Sequence, residues 1–365
     1  MFLDLFHLVE PDLDLTLFKG GGPTTAREKV PFFLPRNGRF LRYLPVHELV
    51  GRTPIHAECM TFALALLPHL RGGAFDVVHT IDPPLTRILY KLRRRLGMRF
   101  KLLYTHGVTM PPSDYPPADY LHHVAEGPHL ECLNAGIRGD TMEVVACGFN
   151  PERFDTPRSR EELRREYGIP EDTFLILSIA ALNRVHKRSH HLIDEVAHLK
   201  GNFMLWLDAS MDQGEPDLVD YARSKLGERL RLTHVASNKV AELYRMADIL
   251  AHAATFESFG LAIVEAASAG LPVVIHDAPH FRWLIPNSDC WVDMTQAGAL
   301  ARRLAFLMEH RDELAKMRAG ELVRERFSWD HLRPQYVALY EKTNAMPVAE
   351  RADGSSVNYY WQLHG

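Results

Sequence analysis

Thr255–Val274 reads TFESFGLAIVEAASAGLPVV and carries the clearest fold signal in the chain. It follows the apolar run Ile249–His252, so we predict a strand, a tight turn and a helix that begins near Gly260. Gly270 ends that helix, and the apolar run Val273–His276 returns as the next strand. A helix that starts at the end of a strand presents free backbone N–H groups and the positive end of its dipole, which together form an anion site.

Apolar runs alternate with longer amphipathic runs along the rest of the chain. The other strand-like runs are Leu13–Phe18, Phe75–His79, Lys101–Thr105, Met142–Ala146, Phe174–Ala180, Phe203–Asp208 and Leu230–Val235. The helical runs between the strands are Ala57–Leu70, Pro84–Leu96, Ser189–Leu199, Lys239–Met246, Leu261–Ser268 and Ala297–Glu309. This alternation predicts an α/β fold with doubly wound parallel sheets, whose ligands lie beyond the carboxyl ends of the strands.

The length of 365 residues favours two domains. We place the break at 148–158, GFNPERFDTPR, because this stretch is rich in Gly, Pro and charge and has no periodicity. We therefore predict an N-terminal domain over 1–150, a second domain over 159–326 and a polar tail over 347–365. Ser159 and Glu162 form a capping-box pattern, which predicts a helix that ends near Gly168.

Composition argues against several classes of protein. The 42 basic and 46 acidic residues give a net charge of −4, so binding of nucleic acid through bulk charge is not expected. The 4 cysteines include no CxxC pair, which is typical of free thiols in a reducing compartment. No run approaches the ~20 apolar residues of a membrane-spanning helix. The opening stretch lacks a signal-peptide pattern, so we expect a cytoplasmic location, peripheral to a membrane at most.

Two carboxylates flank the start of the helix predicted over 261–268. Glu257 lies just before the helix, beside whatever anion its N-terminus binds, and Glu265 lies within it. A carboxylate such as Glu265 can accept two hydrogen bonds from a vicinal diol, as acidic residues do for ribose in dinucleotide folds. The alternative is a surface loop glutamate and a solvated helix glutamate. The alanines around Glu265 indicate close helix packing, which weighs against the solvated position.

Glu257, seven intervening residues and Glu265 together resemble the E-x7-E motif of retaining glycosyltransferases of family 4. The segments 241–248, 148–154 and 327–340 are also similar to that family. The resemblance implies a GT-B fold, in which two Rossmann-like domains face each other across a cleft. It also implies that a C-terminal helix, about 329–343, packs back on the acceptor-side N-terminal domain, and that the second domain binds the nucleotide-sugar donor.

The same resemblance assigns roles around the motif. It implies that Glu257 is catalytic and contacts hydroxyls of the donor sugar near the reacting carbon. It places the donor ribose at Glu265 and the donor diphosphate at the backbone N–H groups of Phe259, Gly260 and Leu261.

A basic turn follows the predicted strand Phe174–Ala180. A cation at the carboxyl end of a strand suits a diphosphate leaving group, whose negative charge grows in the transition state. Lys187 matches the catalytic lysine of the family, but the family's arginine position is occupied by Leu182. Either Arg184 or Arg188 could supply the second diphosphate-binding cation from the same loop.

His106 follows another predicted strand, Lys101–Thr105. A lone histidine there is usually a loop residue with satisfied hydrogen bonds. The family has a similar histidine facing the donor sugar, and on that resemblance we predict a catalytic role for His106.

We predict no metal ion and no cofactor besides the nucleotide diphosphate sugar, which is the donor substrate. Asp12 and Asp14 form a DxD pattern but lie in a predicted surface turn. His276 and His280 have i, i+4 spacing, but Pro279 breaks any helix that would align them.

The stretch Arg87–Lys101 is basic and amphipathic. Its cations are interleaved with apolar residues, a pattern that can place a helix on anionic lipid. The alternative is an ordinary sheet-covering helix with a solvated basic face.

Together these patterns predict a metal-independent, retaining hexosyltransferase, of the kind used in polysaccharide biosynthesis. The acceptor is a hydroxyl of a glycan, a lipid-linked molecule or a small molecule. No residue of the sequence is placed as a covalent nucleophile, so we expect a front-face reaction in which the leaving phosphate helps to deprotonate the acceptor. The alternatives are a non-catalytic nucleotide-sugar-binding module, favoured by Leu182, and an epimerase or hydrolase on the same fold.

The resemblance also leads us to expect that the chain starts late. Members of the family open with a strand, a Gly-rich loop and a helix, whereas residues 1–10 here have the pattern of a helix end. On this view Leu13–Phe18 is the second strand, and it leads to the glycines at 20–22.

Overall fold

The computed structural model describes residues 2–39, 53–107, 110–209 and 215–348. These residues form two compact units: one extends to Ala146 and resumes at Leu332, and the other is Cys147–His331. The tail predicted over 347–365 lies outside the described residues from position 349 onward. Each unit has its own main parallel sheet.

The first unit alternates strands and helices. Its helices are α1 (Phe2–Val9), α2 (Pro54–Leu70), α3 (Pro83–Leu96) and α4 (Glu126–Asn134). Its strands are β1 (Leu17–Phe18), β2 (Glu28–Lys29), β3 (Val77–Thr80), β4 (Lys101–His106), β5 (Tyr120–His123) and β6 (Met142–Val144). The main sheet has the order β3-β4-β5-β6, and β1 pairs with β2 separately; all of these pairings are parallel.

Two strands of this unit differ from the sequence predictions. The run Leu13–Phe18 is a strand only at its last two residues, because only these pair with β2. The strand β5 was missed because its sequence, YLHH, is half histidine. All four of its residues are nevertheless buried between β4 and β6.

The basic stretch 87–101 is only partly a basic surface. The helix α3 ends at Leu96, and within it Arg93 is 2% exposed and donates to the buried carboxylate of Asp119 at 3.1 Å. Arg93 is therefore a core residue and does not belong to the predicted lipid-facing set. The exposed cations of the stretch are Lys91, Arg94, Arg95 and Arg99. Within the described residues, every helix is too short or too polar to cross a bilayer.

The second unit repeats the α/β pattern around a larger sheet. Its helices are α5 (Arg160–Glu166), α6 (Ser189–Ala197), α7 (Asp217–Leu226), α8 (Val240–Met246), α9 (Leu261–Ser268), α10 (Pro279–Leu284), α11 (Ala299–Glu309) and α12 (Gly320–Phe327). Its strands are β7 (Phe174–Ile179), β8 (Phe203–Asp208), β9 (Leu230–Thr233), β10 (Ile249–Ala251), β11 (Val273–His276) and β12 (Trp291–Val292). The sheet is parallel and has the order β12-β11-β10-β7-β8-β9.

The order of this sheet reverses between β7 and β10. From β7 the chain runs outward through β8 and β9, then crosses back and runs outward on the other side through β10, β11 and β12. The loops that leave β7 and β10 therefore diverge at their carboxyl ends and open a crevice, which is where ligands of doubly wound sheets bind.

Local signals predicted several elements of this unit correctly. The side chain of Ser159 accepts from the backbone N–H of Glu162 at 3.1 Å, and the Glu162 carboxylate accepts from the backbone N–H of Ser159 at 3.1 Å. This confirms the capping box at the start of α5. The bounds predicted for β8, α9 and β11 are also those of the structure.

The helix that ends the described chain is α13 (Trp329–Ala345), most of which belongs to the first unit. There the hydroxyl of Tyr336 donates to the carbonyl of Ala146 at 2.9 Å, and the ammonium of Lys342 donates to the Glu143 carboxylate at 2.5 Å. The buried hydroxyl of Tyr340 lies 2.7 Å from Nδ1 of His79 on β3. These contacts attach the helix to the strands of the first unit.

Candidate active site

The two loops that diverge at the reversal of the second sheet meet through an ion pair. Lys187 lies in the loop after β7, and Glu257 lies in the loop after β10. The Lys187 ammonium is 2.5 Å from Oε1 of Glu257, which is 8% exposed. The sequence placed both residues at a donor site but did not show that they touch.

A histidine completes this cluster. Nε2 of His252 lies 2.7 Å from the same Oε1 of Glu257, and His252 is 4% exposed. Burial by itself would raise the pKa of Glu257, but the hydrogen bond from His252 and the charges of His252 and Lys187 outweigh it and lower that pKa to about 2. Glu257 is therefore a carboxylate at any physiological pH.

The turn into α9 depends on a glycine. Gly260 has a φ of 102°, and a Cβ there would lie 3.1 Å from both Ile263 and Leu284. A side chain at this position would be strained in both backbone and packing. The helix begins at Leu261, close to the position that the sequence predicted.

Three backbone N–H groups are available at this turn. Within the described residues, the amides of Phe259, Gly260 and Leu261 donate to no acceptor. The carbonyl of Phe259 faces the other way and lies 2.9 Å from Nε2 of His280 on α10. Unpaired amides at a helix N-terminus have the geometry that an anion needs, as the sequence led us to expect.

Glu265 lies on α9 and is not part of the charged cluster. Its Oε2 accepts from the hydroxyl of Tyr244 at 3.2 Å. Burial raises the pKa of Glu265, and the hydrogen bond from Tyr244 and the charge of Arg153 offset the rise only in part. A partly buried carboxylate with so little compensation is stabilised by a ligand that donates hydrogen bonds to it.

The two arginines that the sequence left as alternatives, Arg184 and Arg188, have different partners in the structure. Arg184 is paired with carboxylates, since its guanidinium lies 2.5 Å from Glu215 and 2.6 Å from Asp217. Arg188 instead donates to the carbonyl of Met294 at 2.8 Å and approaches that of Ala253 at 3.5 Å, so its charge faces no carboxylate partner in the described chain. Leu182 is 2% exposed and belongs to the core.

Arg188 also has an unusual backbone. Its φ is 50°, in the left-handed region, and it is the only residue other than glycine with a positive φ in the part of the chain that the structure describes. Backbone strain of this kind clusters at functional sites. Here it occurs at the cap of α6, directly after Lys187.

His106 lies in the first unit. It ends β4, is 2% exposed, and stacks on the ring of Tyr115 with the ring centroids 4.5 Å apart. The other predicted site residues all lie in the second unit.

Residues that hold a metal ion do not come together in the described ranges: no group of three His, Cys, Asp or Glu side chains has the geometry for one. Asp12 of the DxD pattern is paired with Arg333 at 2.7 Å, and Asp14 is exposed in a turn region. His276 accepts from the backbone N–H of Met294 at 3.2 Å.

Sequence reasoning missed His252. The available signal was its position: it directly follows the apolar strand β10, at the carboxyl end where ligands bind, and it precedes Glu257 by five residues. Its sequence pattern, however, is that of the polar end of an apolar run.

Comparison with known proteins adds to this geometry. Residues 159–321 match the family model of glycosyl transferases group 1. The chain is 25% identical over 334 residues to the putative glycosyltransferase EpsD of Bacillus subtilis, covering 83% of this chain and 86% of that protein. It is 27% identical over 208 residues to a D-inositol 3-phosphate glycosyltransferase of Mycolicibacterium smegmatis, covering 55% of this chain and about half, 47%, of that relative.

Among solved structures, Anabaena HepE in complex with UDP and glucose superposes with a TM-score of 0.68 at 18% identity, covering 86% of each chain. The match of residues 159–321 to this family model and the likeness to HepE confirm the predicted α/β GT-B fold.

Proposed function

We propose that this protein is a retaining glycosyltransferase that moves a hexose from a nucleotide diphosphate sugar to an acceptor hydroxyl. One observation carries the proposal: the Lys187–Glu257 ion pair lies at the sheet reversal of a glycosyl transferases group 1 domain, beside the unpaired amides of 259–261. A cation, a helix N-terminus and a buried carboxylate at one point suit a ligand with a diphosphate and sugar hydroxyls.

The proposed roles follow from charge. The Lys187 ammonium and the amides of 259–261 bind the diphosphate, whose negative charge grows as the bond to the sugar breaks. Glu257 accepts hydrogen bonds from hydroxyls of the donor sugar. Glu265 accepts them from the donor ribose, consistent with the raised pKa of a carboxyl whose burial is compensated only in part.

We propose Arg188 as the second diphosphate-binding cation in place of the arginine that Leu182 replaces. Its guanidinium contacts only carbonyl oxygens in the described chain, whereas Arg184 is held by Glu215 and Asp217. A cation without a carboxylate partner is available to an anionic ligand. The catalytic role of His106 stays a prediction based on the resemblance alone.

The proposed reaction takes place on one face of the sugar. The bond between the anomeric carbon and the diphosphate oxygen breaks, the acceptor oxygen bonds to that carbon from the same side, and its proton passes to the leaving phosphate. The protein contributes by positioning the reactants and stabilising the developing charge.

We propose that no divalent ion is needed. Activity that disappears with excess EDTA and returns with Mn²⁺ or Mg²⁺ would contradict this.

The structure of HepE is a complex with UDP and glucose, and the relative from Mycolicibacterium smegmatis is a D-inositol 3-phosphate glycosyltransferase. We accordingly propose a UDP-sugar as the first donor to test, and a glycan, a lipid-linked molecule or a small polyol as the acceptor. A role in polysaccharide synthesis fits this chemistry. We also propose a cytoplasmic location, with peripheral contact to anionic lipid through Lys91, Arg94, Arg95 and Arg99.

The test is a screen of UDP-, GDP- and ADP-sugars against an acceptor panel, with NMR of the product anomer. We expect one nucleotide sugar to bind and to yield a glycoside with the donor's anomeric configuration. Inversion contradicts the retaining reaction, and free sugar alone indicates a hydrolase. Binding without a product supports the second candidate, a nucleotide-sugar-binding module, which the replacement of the usual arginine by Leu182 favours.

A further inference from the structure

His252 is held in place through both its backbone and its ring. Its backbone N–H donates to the carbonyl of Val274 at 2.9 Å, which ties it to the neighbouring strand β11. Its ring lies 6.5 Å from that of Phe281 between centroids, and its Nε2 faces Glu257 at 2.7 Å. The ring therefore has a fixed position and one charged neighbour within hydrogen-bond distance.

The protonation pattern of this contact follows from chemistry. The carboxylate of Glu257 can only accept, so Nε2 of His252 carries the proton. Oε1 of Glu257 then accepts from both His252 and Lys187. Oε2 has no hydrogen-bond partner within the described residues, so it is the oxygen left for a hydroxyl of a ligand.

Lys187 cannot serve two partners equally. In the structure its ammonium is 2.5 Å from Glu257, yet the proposed function requires it to bind the diphosphate. When Lys187 turns to the diphosphate, a buried carboxylate loses its closest cation, and an uncompensated buried charge is costly.

The other titratable and charged side chains around Glu257 bond to groups other than Glu257. Nε2 of His280 on α10 faces the carbonyl of Phe259, and burial lowers the pKa of His280, so that ring is neutral. His276 at the end of β11 accepts from the backbone of Met294, and Arg188 donates to backbone carbonyls. His252 is thus the side chain placed to hold Glu257 once Lys187 has moved.

We propose that His252 is a positioning residue, which keeps Glu257 ionised and keeps Oε2 aimed at the donor sugar while Lys187 exchanges Glu257 for the diphosphate. This inference rests on the proposed function for the role of Lys187, but the contact between His252 and Glu257 can be tested without activity. His252 acts through Glu257 and does not itself touch the reacting atoms.

The kinetic test compares His252→Phe, which keeps the ring volume, with His252→Gln, which keeps an N–H donor but does not titrate. In His252→Phe the pKa of Glu257 rises, so kcat acquires an acidic limb below neutral pH and falls by about 10- to 100-fold at pH 5.5 relative to pH 8. His252→Gln restores most of the wild-type profile. His198→Gln, an exposed loop histidine, is the matched control. A loss in His252→Phe that is uniform across pH, with no rescue by Gln, overturns the proposal.

A second measurement separates this proposal from the function itself. Thermal unfolding between pH 3 and pH 7 is followed in the wild type, His252→Phe, Glu257→Gln and the double variant. We expect the stability lost in His252→Phe, relative to the wild type, to be largest at pH 7 and to shrink as pH falls, because protonation of Glu257 removes the buried charge that the variant compensates less well. In the Glu257→Gln background the effect of His252→Phe should lose that pH dependence. Additive effects at every pH overturn the contact. If the contact is found but no nucleotide sugar is turned over, only the proposed function fails.

Discussion

Buried histidines occur in both units, and they differ in what they are bonded to. In the first unit, His122 Nε2 faces the carbonyl of Val145 at 2.8 Å and must carry its proton. Its Nδ1 therefore accepts from the hydroxyl of Thr105 at 2.7 Å, and that hydroxyl in turn accepts from Nε2 of His79 at 2.5 Å. Nδ1 of His79 is then the acceptor for the hydroxyl of Tyr340 at 2.7 Å. The hydrogen bonds therefore fix one tautomer for each ring, with the proton on Nε2, and the rings of His122 and His79 are both neutral.

In the second unit, His252 donates to a carboxylate that a lysine also contacts. That cluster is charged, one of its oxygens is unoccupied within the described chain, and it lies at the reversal of the sheet. The comparison shows that burial of histidine does not by itself indicate a site. A chain of neutral groups whose hydrogen bonds are all made within the protein stabilises the fold. A charged cluster with an acceptor oxygen left without a partner can bind a ligand.

The largest expected effect is on turnover when the charged cluster loses its lysine. Lys187→Ala should lower kcat by about 10²- to 10³-fold, because the leaving diphosphate loses a cation whose effect grows in the transition state. Steady-state kinetics at saturating donor measures this. Lys239→Ala, which breaks an ion pair with Glu242 in the same unit, is the control and should keep its turnover. Equal losses in the two variants would contradict the assignment.

The two arginines of the basic loop should differ. Arg188→Met should lower kcat by about 10- to 100-fold, whereas Arg184→Met should change it by less than about threefold because that charge is already neutralised by two carboxylates. Parallel kinetics of the two variants checks this. A larger loss in Arg184→Met would place the second cation there.

Donor affinity should depend on Glu265. Glu265→Gln should weaken binding of the nucleotide sugar by roughly 1–3 kcal/mol, since a charged acceptor for two hydroxyls becomes neutral. Isothermal titration with UDP and with the UDP-sugar measures the effect. Because UDP retains the ribose, both ligands should weaken alike, and an effect on the sugar alone would move Glu265 away from the ribose.

The smallest effect on turnover is expected in the first unit, where the titration of buried histidines should change stability instead. Burial lowers the pKa of His122 to about 4, and burial and the nearby His122 lower that of His79 well below its ordinary value. The neutral forms are favoured in the folded state, so their contribution is complete above pH 6.5. It is lost as pH falls through the range between 6.5 and the lowered pKa, by up to about 1.4 kcal/mol per pH unit for each histidine.

The pKa of Glu257 is also lowered, but for a carboxyl group this favours the charged form, whereas for the histidines it favours the neutral form. Its pKa lies below that of an unfolded glutamate, so its contribution is present above pH 4.5 and is lost only toward about 2. Hydrogen-exchange protection, corrected for intrinsic rates, should therefore decrease first around 77–80 and 120–123 as pH falls from 7 to 5, and later around 249–268. His122→Gln should flatten the first change. Simultaneous loss in both segments would contradict the comparison.

Sequence predicted the parts of the fold that depend on local pattern. The helix α9 and the strands β8 and β11 are strongly apolar and bounded by turn residues, so their bounds follow from the sequence. The strand β5 was missed because the burial of its His122 depends on partners elsewhere in the chain, Thr105 and Val145.

The candidate site could likewise be predicted only where it depends on local sequence pattern. The pattern of Glu257, Gly260 and Glu265 can be found in the sequence, but contacts between distant residues cannot. Arg184 is neutralised by carboxylates 31 and 33 positions away, and Arg93 is drawn into the core by Asp119, 26 positions away. The role of His252 likewise depends on the loops after β7 and β10 meeting at one sheet edge.

In the proposed reaction the charged cluster of the second unit, and not the neutral histidine chain of the first, carries the chemistry. The measurement is the transfer rate from a nucleotide sugar in Glu257→Gln, which removes a charge, set beside Tyr340→Phe, which removes a hydroxyl. We predict that Glu257→Gln loses turnover by about 10²-fold or more while Tyr340→Phe keeps it and loses only stability. Full turnover in Glu257→Gln, or loss of turnover in Tyr340→Phe alone, would show that the charged cluster does not carry the reaction.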